Sequence, residues 1–264
     1  MVTAIAEVIT ALFPDSLIDY DAFEDWFSRI HDDVLPGAVN VIDRLKEQLE
    51  STKSACLAGG DINRDFWELF GGEGDTVIKS IKSIRSKLAR DLLSDSKAEK
   101  APSPRKTEDS LLEKILEFGD LGRVRIVADF PSDITCLQKE LLNNRQFLGC
   151  YRCPKGVKDF VFDPEMRDGL KGHRARQFSV RVPCDSGDFG FEVQLMTRLQ
   201  HAWDRRNHPL YEWQRETPGW KENPAAVELA VDDFACSEAL HLVDRQADRN
   251  WRQLNKLFRK ERKS

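Results

Sequence analysis

The sequence predicts an α/β protein of the α+β kind, in which helices flank a mixed β-sheet. Residues 124–130 form a nearly continuous apolar run, which is typical of a strand buried in a sheet. Residues 178–182 and 191–195 alternate apolar and polar side chains, which is the period of a strand. Residues 37–57 and 76–93 instead have the apolar spacing of helices.

The composition is that of a globular protein. The 264 residues are 41% hydrophobic and 32% charged, and no apolar run approaches the roughly 18 residues of a membrane span. Lysine and arginine number 40 against 45 acids, a net charge of −5, so we do not expect non-specific binding to nucleic acid. The first residues lack a basic segment ahead of an apolar one, which favours a cytoplasmic protein.

The six cysteines are too sparse for a disulfide framework in a chain of this length, and we expect them to be reduced. Cys150 and Cys153 form a single C-x-x-C pair. A structural zinc site would need a second such pair or two spaced histidines, and neither is evident. The cysteines therefore predict no metal site.

The N-terminal part is predicted to be helical and to end at an exposed connection. Along the helix predicted at 76–93, Lys79, Ser83 and Lys87 recur at i, i+4 and i+8 and form one polar ridge beside the apolar stripe. Residues 94–107 hold two prolines and no bulky apolar side chain, which indicates an exposed loop.

Strands and helices alternate after this loop. A short helix over 111–118 precedes the buried strand, and Ser132 is expected to cap the helix that follows the strand. The segment PCDSGDFG joins the two alternating strands into a predicted antiparallel hairpin. Thr197 and Gln200 resemble a capping box that opens a further helix, which Pro209 would break or kink.

Two acidic residues are candidates for binding a hard cation. If the apolar residues of 191–195 face the core, Glu192 and Gln194 emerge together on the opposite face of the strand. A solvated strand face has the same pattern. Asp120 closes a turn before another strand. Within that strand, Arg125 is a polar residue between apolar neighbours, so it is expected to point to the opposite face. Carboxylates from two adjacent strands suit Mg²⁺, which binds one or two carboxylates together with phosphate oxygens.

Basic residues in two segments are candidates for binding phosphate. Lys79 and Lys87 place two ammonium groups on the helical ridge, although an ordinary lysine-rich surface has the same spacing. Lys171, His173 and Arg174 lie in a basic segment that contains a glycine and precedes a strand. Such a segment can approach phosphates closely, and its imidazole can stack on a base.

The order of these blocks is more specific than any one of them. The blocks K-x3-S-x3-K, D-L-G-R-V-R, G-H-R-A-R-Q and E-V-Q-L-M-T-R-L-Q-H-A-W follow one another within residues 76–213. Their order resembles the synthetase domain of the RelA/SpoT family, the (p)ppGpp synthetases, in its short synthetase-only form. The resemblance implies a nucleotidyltransferase-like fold over 76–213, with an N-terminal helical region at 1–75 and a C-terminal helical extension at 214–264.

The resemblance also implies an ATP-dependent pyrophosphokinase. Enzymes of the family transfer the β,γ-pyrophosphoryl group of ATP to the 3′-hydroxyl of GDP or GTP. Asp120 and Glu192 are then expected to hold Mg²⁺, with Glu192 also placed to take the proton of the attacking hydroxyl. Arg125 is expected to pack against adenine. The side chains expected to contact the nucleotides are Lys79, Ser83, Lys87, Arg125, Lys171, His173, Arg174, Gln177, Gln194, His201 and His208.

Five positions depart from the family pattern. Val77 and Met196 stand where arginine is usual. His173 and Gln177 replace a tyrosine and a histidine, and Asn207 stands where an acid is common. The acceptor is therefore open between a guanine nucleotide, an adenine nucleotide and the 3′ end of tRNA, and a non-catalytic regulator that binds nucleotide is a further hypothesis. Small members of the family often form homo-oligomers, and no membrane partner is expected.

Overall fold

A computed structural model describes most of the chain, namely residues 2–57, 67–70, 77–98, 105–143, 151, 156–161, 172–217 and 219–261. Lys171, Cys150 and Cys153 lie outside the described residues, so what the sequence predicts for them stays a prediction. The free thiols of Cys136, Cys184 and Cys236 agree with the expected reduced state.

Seven α-helices and five β-strands lie within the described residues. The helices are α1 (Val2–Leu12), α2 (Tyr20–Leu57), α3 (Ile81–Ala98), α4 (Glu108–Leu116), α5 (Pro131–Asn143), α6 (Arg198–Glu216) and α7 (Pro224–Glu261). The strands are β1 (Trp67–Phe70), β2 (Gly122–Ala128), β3 (Lys158–Asp159), β4 (Arg176–Cys184) and β5 (Gly187–Thr197). None of these helices is both long enough and apolar enough to cross a bilayer.

The strands form one sheet in the order β1-β2-β5-β4-β3, which confirms the predicted mixed sheet with flanking helices. β1 is antiparallel to β2, with Phe70 opposite Arg125, and β3 is antiparallel to β4, with Lys158 opposite Gln177. A two-residue turn joins β4 to β5, so the predicted hairpin is confirmed. β1 is a strand that the sequence patterns do not predict.

The helix predicted from residue 76 begins later, at Ile81. Ile78 pairs with Gly122 as an isolated antiparallel bridge, and the N–H of Lys79 donates to the carbonyl of the residue before β2 at 2.9 Å. These main-chain contacts keep Lys79 out of the helix, so the predicted helical ridge is wrong for this residue. The helix also continues to Ala98, into the segment predicted as an exposed loop.

Two expectations about helix ends are corrected and one is confirmed. Ser132 does not cap α5, because the helix begins one residue earlier, at Pro131; its hydroxyl donates to the carboxylate of Asp248 at 2.5 Å. Pro209 does not break α6, which continues past it to Glu216. Thr197 is the N-cap of α6, and its hydroxyl accepts the N–H of Gln200 at 3.2 Å.

The chain divides into two compact units. The first unit comprises Met1–Val41, Gly71–Arg123 and Ser179–Glu192. The second unit comprises Ile42–Phe70, Val124–Phe178 and Val193–Ser264.

Aromatic and aliphatic side chains of α2 and α3 form the core of the first unit. Phe23 and Phe27 on α2 are fully buried, with ring centroids 6.3 Å apart. Ile84 and Leu88 on α3 are also fully buried, which confirms the predicted apolar stripe. The guanidinium of Arg85 lies 5.4 Å from the ring centroid of Phe23, so α3 packs against α2. Burial of each large side chain contributes roughly 1.5–3 kcal/mol to stability.

In the same unit, a carboxylate on α2 holds the turn of the hairpin. Asp33 accepts the main-chain N–H groups of Asp185 at 2.8 Å and Ser186 at 3.0 Å. Burial raises the pKa of Cys184 to about 11, with the charge of Asp33 adding to the effect, so this thiol is protonated at neutral pH. The turn is therefore anchored by its main chain to one helical residue.

A glycine in β5 allows two main-chain segments of the first unit to touch. A Cβ atom at Gly190 would lie 2.1 Å from the carbonyl oxygen of Phe118 and 2.7 Å from the Cα atom of Gly119. Main-chain atoms cannot rotate away as a side chain can. Gly190→Ala is therefore expected to lower the free energy of unfolding by about 3 kcal/mol, as measured by urea denaturation.

Gly119→Ala is a matched control for this substitution. Its Cβ atom would meet the side-chain oxygen of Ser179 at 3.4 Å, which is ordinary contact. We expect the control to change the free energy of unfolding by less than about 1 kcal/mol. Equal unfolding midpoints for the two variants would show that the contact at Gly190 does not limit stability.

In the second unit, α7 packs through a polar face. The residues of this face are spaced three or four apart and are all buried: Asp233, Ser237, His241, Asp244 and Asp248. The indole N–H of Trp203 on α6 donates to the carbonyl of Asp233 at 2.9 Å. The hydroxyl of Thr197 donates to the carboxylate of Asp244 at 2.5 Å. α7 is thus held against α6 by specific hydrogen bonds as well as by apolar contacts.

Asp244 makes stability depend on pH. Burial raises the pKa of Asp244 from 3.8 to about 6; the hydrogen bond from Thr197 opposes this shift and the charge of Asp248 adds to it. The folded protein therefore binds this proton more tightly than the unfolded chain. The stability that the carboxyl contributes is complete below about pH 4 and is lost as the pH rises through about 6.

Asp244→Asn is expected to raise the melting temperature at about pH 7.5 and to leave it unchanged at about pH 4, because asparagine keeps an acceptor oxygen and carries no charge. The measurement is thermal unfolding of both proteins across this pH range. Asp232→Asn, at an exposed position on the same helix, is the control and is expected to leave the melting temperature unchanged at both pH values. A lower melting temperature for Asp244→Asn at about pH 7.5 would refute the pH argument.

Candidate functional site

Three residues predicted to bind nucleotide or metal meet in the first unit. The Nζ atom of Lys79 lies 2.5 Å from Oδ2 of Asp120, and the Nζ atom of Lys87 donates to Oδ1 of the same carboxylate. Asp120 lies in the turn between α4 and β2, Lys79 lies just before α3, and Lys87 lies on α3. We call these three residues the lysine–aspartate cluster. Each of the three side chains is about one-fifth exposed.

The lysine–aspartate cluster holds two ammonium groups and one carboxylate, a net charge of +1. Burial raises the pKa of Asp120, but Lys79 and Lys87 outweigh it and hold the pKa far below its usual range. Burial lowers the pKa of Lys79, and the charges of Lys87 and Arg123 add to the effect, against the opposing charge of Asp120. A partly buried site with surplus positive charge suits a polyanion such as a triphosphate.

Two further predicted residues belong to the same unit. Ser83 lies on α3 one turn before Lys87, and its hydroxyl accepts from Ser80 at 3.1 Å. Glu192 is partly buried on β5, between the fully buried Phe191 and Val193. The predicted alternation is therefore confirmed at Glu192 but not at Gln194, which is buried.

The donor chemistry of Asp120 and Glu192 fits a magnesium ion. The depressed pKa of Asp120 keeps its carboxylate charged at neutral pH. Among the described residues, no three His, Cys, Asp or Glu side chains gather into a metal site. A cation would thus need oxygen ligands from a substrate as well, which is how Mg²⁺ commonly binds. Lysines already contact both oxygens of Asp120, so a cation would bind this carboxylate beside the two ammonium groups or in competition with them.

A second group of predicted residues meets in the second unit around Asp204, a residue that the sequence analysis does not predict. Nη2 of Arg125 lies 2.8 Å from Oδ2 of Asp204, and Nδ1 of His173 lies 3.0 Å from Oδ1. Nε of Arg125 donates to the amide oxygen of Gln194 at 3.2 Å. The amide nitrogen of Gln177 lies 2.8 Å from Nε2 of His173. We call these five residues the Asp204 cluster.

The charge of Asp204 determines which atoms donate in this cluster. Burial raises the pKa of Asp204, but the hydrogen bond from His173 and the nearby positive charges outweigh it and leave the pKa at about 2. An ionised carboxylate only accepts hydrogen bonds, so Nδ1 of His173 donates to it. The amide nitrogen of Gln177 only donates hydrogen bonds, so in this contact Nε2 of His173 is the acceptor.

The two histidines predicted on α6 differ in their surroundings. His201 is buried, and its ring centroid lies 4.4 Å from that of Phe70. Burial lowers the pKa of His201, and the charge of Arg125 adds to the effect, so it packs as a neutral ring. His208 is exposed, and its Nε2 atom lies 3.9 Å from the carboxylate of Glu212.

Arg174, also predicted to bind nucleotide, is buried in internal contacts. Its Nη1 atom donates to the carbonyl of Val161 at 3.0 Å, and its Nη2 atom donates to the carboxylate of Glu238 on α7. Both contacts connect the segment before β4 to neighbouring parts of the second unit. They give this guanidinium a structural role, which the basic sequence around it does not reveal.

Two of the departures from the family pattern are core positions. Val77 is buried in the first unit, and Met196 is fully buried in the second unit against Val127, Ala175 and Phe70. A guanidinium in such apolar surroundings would need a partner to offset the cost of removing its charge from water. The uncharged, apolar side chains of valine and methionine therefore suit the burial at both positions.

No protein-family profile and no curated protein sequence matches the chain. Several solved structures do. Small alarmone synthetase 1 from Bacillus subtilis, bound to its product pppGpp, has a TM-score of 0.53 at 17% identity and covers 84% of this chain and 97% of its own. A GTP pyrophosphokinase family protein from Streptococcus pneumoniae has a TM-score of 0.57 at 16% identity, covering 86% and 95%. The Bacillus subtilis protein bound to AMPCPP has a TM-score of 0.51 at 18% identity, covering 87% and 99%. Likeness at this identity is evidence for the fold.

Proposed function

We propose, from the fold that this chain shares with the small alarmone synthetases, that it is an ATP-dependent pyrophosphokinase that makes (p)ppGpp. The lysine–aspartate cluster is the observation that carries the proposal. It combines surplus positive charge, which suits phosphates, with a carboxylate that stays ionised and suits Mg²⁺. The order of the four sequence blocks supports the same activity.

The proposed reaction transfers an intact pyrophosphoryl group. The 3′-hydroxyl oxygen of GDP or GTP attacks the β-phosphorus of ATP, and a new P–O bond forms. The bond between the β-phosphorus and the oxygen that bridges it to the α-phosphorus breaks, and AMP leaves with that oxygen. The hydroxyl proton goes to a base, a role we assign to Glu192. Transfers of this kind depend mainly on positioning and charge neutralisation.

The proposed donor site uses the residues around α3. Lys79 and Lys87 would neutralise charge on the ATP phosphates, and the hydroxyl of Ser83 lies on the same helix as Lys87. By the resemblance, Arg125 would pack against adenine. Electrostatic contacts of this kind act most strongly in a partly buried site, where water screens them less.

Asp120 and Glu192 would hold Mg²⁺, which when bound neutralises charge on the transferred phosphates. Asp120 would then exchange its contacts with the lysines for a contact with the cation. The lysines would at the same time exchange Asp120 for phosphate oxygens. Each of the three charged side chains would thereby keep a partner of opposite charge when Mg²⁺ and ATP enter together.

The proposed acceptor is a guanine nucleotide that contacts His173 and Gln177. His173 takes the position at which the family has a tyrosine, and an imidazole ring can also stack on a purine. The same ring would stack on adenine. The acceptor therefore has to be determined by assay, with the adenine nucleotides and tRNA as the alternatives.

The deciding experiment incubates the purified full chain with labelled ATP, Mg²⁺ and one acceptor at a time: GDP, GTP, ADP, AMP or tRNA. Thin-layer chromatography separates the products. We expect a 3′-pyrophosphorylated guanine nucleotide and an equal amount of AMP with GDP or GTP. Product with an adenine nucleotide or tRNA alone would overturn the guanine acceptor, and the absence of both product and AMP would overturn the activity.

A further inference from the structure

We propose that Asp204 is a positioning residue, which orients Arg125 and His173 so that their flat surfaces can stack on nucleobases. The inference rests on the proposed function, because it names the part of the nucleotide that the Asp204 cluster would contact. Neither the sequence blocks nor the similar structures assign a role to this carboxylate.

The geometry places Asp204 between two planar side chains. Its Oδ2 atom lies 2.8 Å from Nη2 of Arg125 on β2, and its Oδ1 atom lies 3.0 Å from Nδ1 of His173 in the segment before β4. The side chain of Asp204 is 17% exposed, and the side chains of Arg125 and His173 are 21% and 14% exposed, respectively. One partly buried carboxylate therefore orients two groups that come from different parts of the second unit.

The contacts made by His173 lie at the edge of its ring. Nδ1 donates to Asp204, and Nε2 accepts from Gln177 at 2.8 Å. Hydrogen bonds to ring nitrogens lie near the plane of the ring, so these two contacts fix that plane. Both nitrogen atoms are engaged within the protein, so a base would have to meet this ring at a face and not at its polar edge. His173 would then recognise the flat shape of a base and not its hydrogen-bonding pattern.

The guanidinium of Arg125 is oriented in the same way. Nε donates to Gln194 at 3.2 Å, and Nη2 lies beside Asp204. The hydrogen bond from Nε and the charge contact at Nη2 hold the planar guanidinium between β5 and α6. A guanidinium held in this way is a suitable surface for stacking on an aromatic ring.

The charge of the cluster indicates which part of a nucleotide it suits. In the Asp204 cluster one carboxylate balances one guanidinium, so this ion pair has no surplus charge. The lysine–aspartate cluster, by contrast, carries +1. A charge-balanced ion pair beside planar side chains suits an uncharged aromatic ring, and surplus positive charge suits phosphate. The two clusters thus predict separate determinants for nucleobase and phosphate.

The test compares ligands that carry both a nucleobase and phosphates with a ligand that carries phosphates alone. Calorimetric titration of the full chain measures the Kd of ADP, of GDP and of inorganic tripolyphosphate. Asp204→Ala is expected to weaken the binding of at least one nucleoside diphosphate about tenfold. The Kd of tripolyphosphate is expected to change less than about twofold, because this ligand has no base to stack.

Asp204→Asn is the second variant, and it keeps the shape of the side chain if the alanine variant fails to fold. Its amide oxygen still accepts from His173, but it carries no charge to attract Arg125. We therefore expect the Kd of the nucleotide to lie between those of wild type and Asp204→Ala. In the active enzyme it is expected to raise KM while kcat changes less than about threefold. Asp232→Asn, at an exposed position on α7, is the control and is expected to change none of these values.

The outcomes distinguish the failure of this inference from the failure of the proposed function. Equal weakening of tripolyphosphate and nucleotides would show a general structural role for Asp204 and overturn the inference, as would unchanged nucleotide binding in both variants. A wild-type chain that binds nucleotides through Asp204 but transfers nothing would overturn the proposed function alone. A wild-type chain that binds tripolyphosphate but no nucleotide would overturn both.

Discussion

Asp120→Asn is expected to lower the rate of pyrophosphoryl transfer about 1000-fold. The substitution removes the charge of a proposed metal ligand and of the carboxylate that orients Lys79 and Lys87, and charge stabilisation is the main contribution to catalysis of such reactions. The measurement is the initial rate of AMP release at saturating ATP and acceptor. A rate within about tenfold of wild type would exclude Asp120 from the catalytic machinery.

The same variant is expected to bind a polyanion more tightly when metal ions are chelated. In the wild-type chain the carboxylate of Asp120 already pairs with both ammonium groups, so tripolyphosphate must compete with it. Asparagine cannot compete as an anion, and the two lysines then lie close together without a counter-charge. We expect the Kd of tripolyphosphate in EDTA to fall about tenfold, which is the opposite sign to the effect on catalysis.

Asp95→Asn is the matched control for both measurements. The carboxylate of Asp95 pairs with Nζ of Lys114 at 2.5 Å, which is the same kind of contact at another place in the first unit. Losing this pair is expected to change neither the rate nor the Kd of tripolyphosphate. Weaker tripolyphosphate binding by Asp120→Asn would contradict this expectation. It would mean that the carboxylate of Asp120 orients the lysines to bind anions and does not compete with those anions.

Glu192→Gln is expected to lower kcat about 100- to 10,000-fold, because glutamine keeps the size of the side chain but cannot accept the proton of the attacking hydroxyl. Steady-state kinetics with the preferred acceptor measures the effect. The Kd of tripolyphosphate in EDTA is expected to stay close to the wild-type value, since the cationic groups of the lysine–aspartate cluster are intact. This pattern separates Glu192 from Asp120, for which the Kd changes.

Glu117→Gln is the control for this variant, because Glu117 is an exposed residue of the same unit. It is expected to leave kcat unchanged. A kcat for Glu192→Gln within about threefold of wild type would remove Glu192 from the role of base. The proton acceptor would then have to be sought among other groups.

The strands that hold the candidate residues can be predicted because their signals are local. The apolar run of β2 and the period of two in β4 and β5 are present in any window of the sequence that contains them. The position of Lys79 is different. Its exclusion from α3 depends on the pairing of Ile78 with Gly122, which lies far along the chain, so helical spacing alone gives the wrong conformation.

Asp204 shows why part of the site escapes prediction. Its partners Arg125 and His173 lie on other elements, and contacts of this kind depend on the tertiary fold. A local signal exists nonetheless. His201, Asp204 and His208 are spaced three and four residues apart, so a helix places them on one face, and that face would have indicated a polar cluster. Arg174 shows the opposite difference. Its basic segment suggests a cation that is accessible to a ligand, whereas its guanidinium is buried and makes internal contacts.

The contact between Asp33 and the hairpin turn bears on how this protein tolerates insertions and deletions. Glu192 follows the turn by a few residues, and successive side chains of a strand point to opposite sides of the sheet. Adding or removing one residue between the turn and Glu192 would therefore reverse the side on which its carboxylate emerges. Because Asp33 fixes the turn through main-chain N–H groups, most substitutions in the turn leave this count intact. Changes in hairpin length are thus expected to be far more damaging than changes in hairpin sequence.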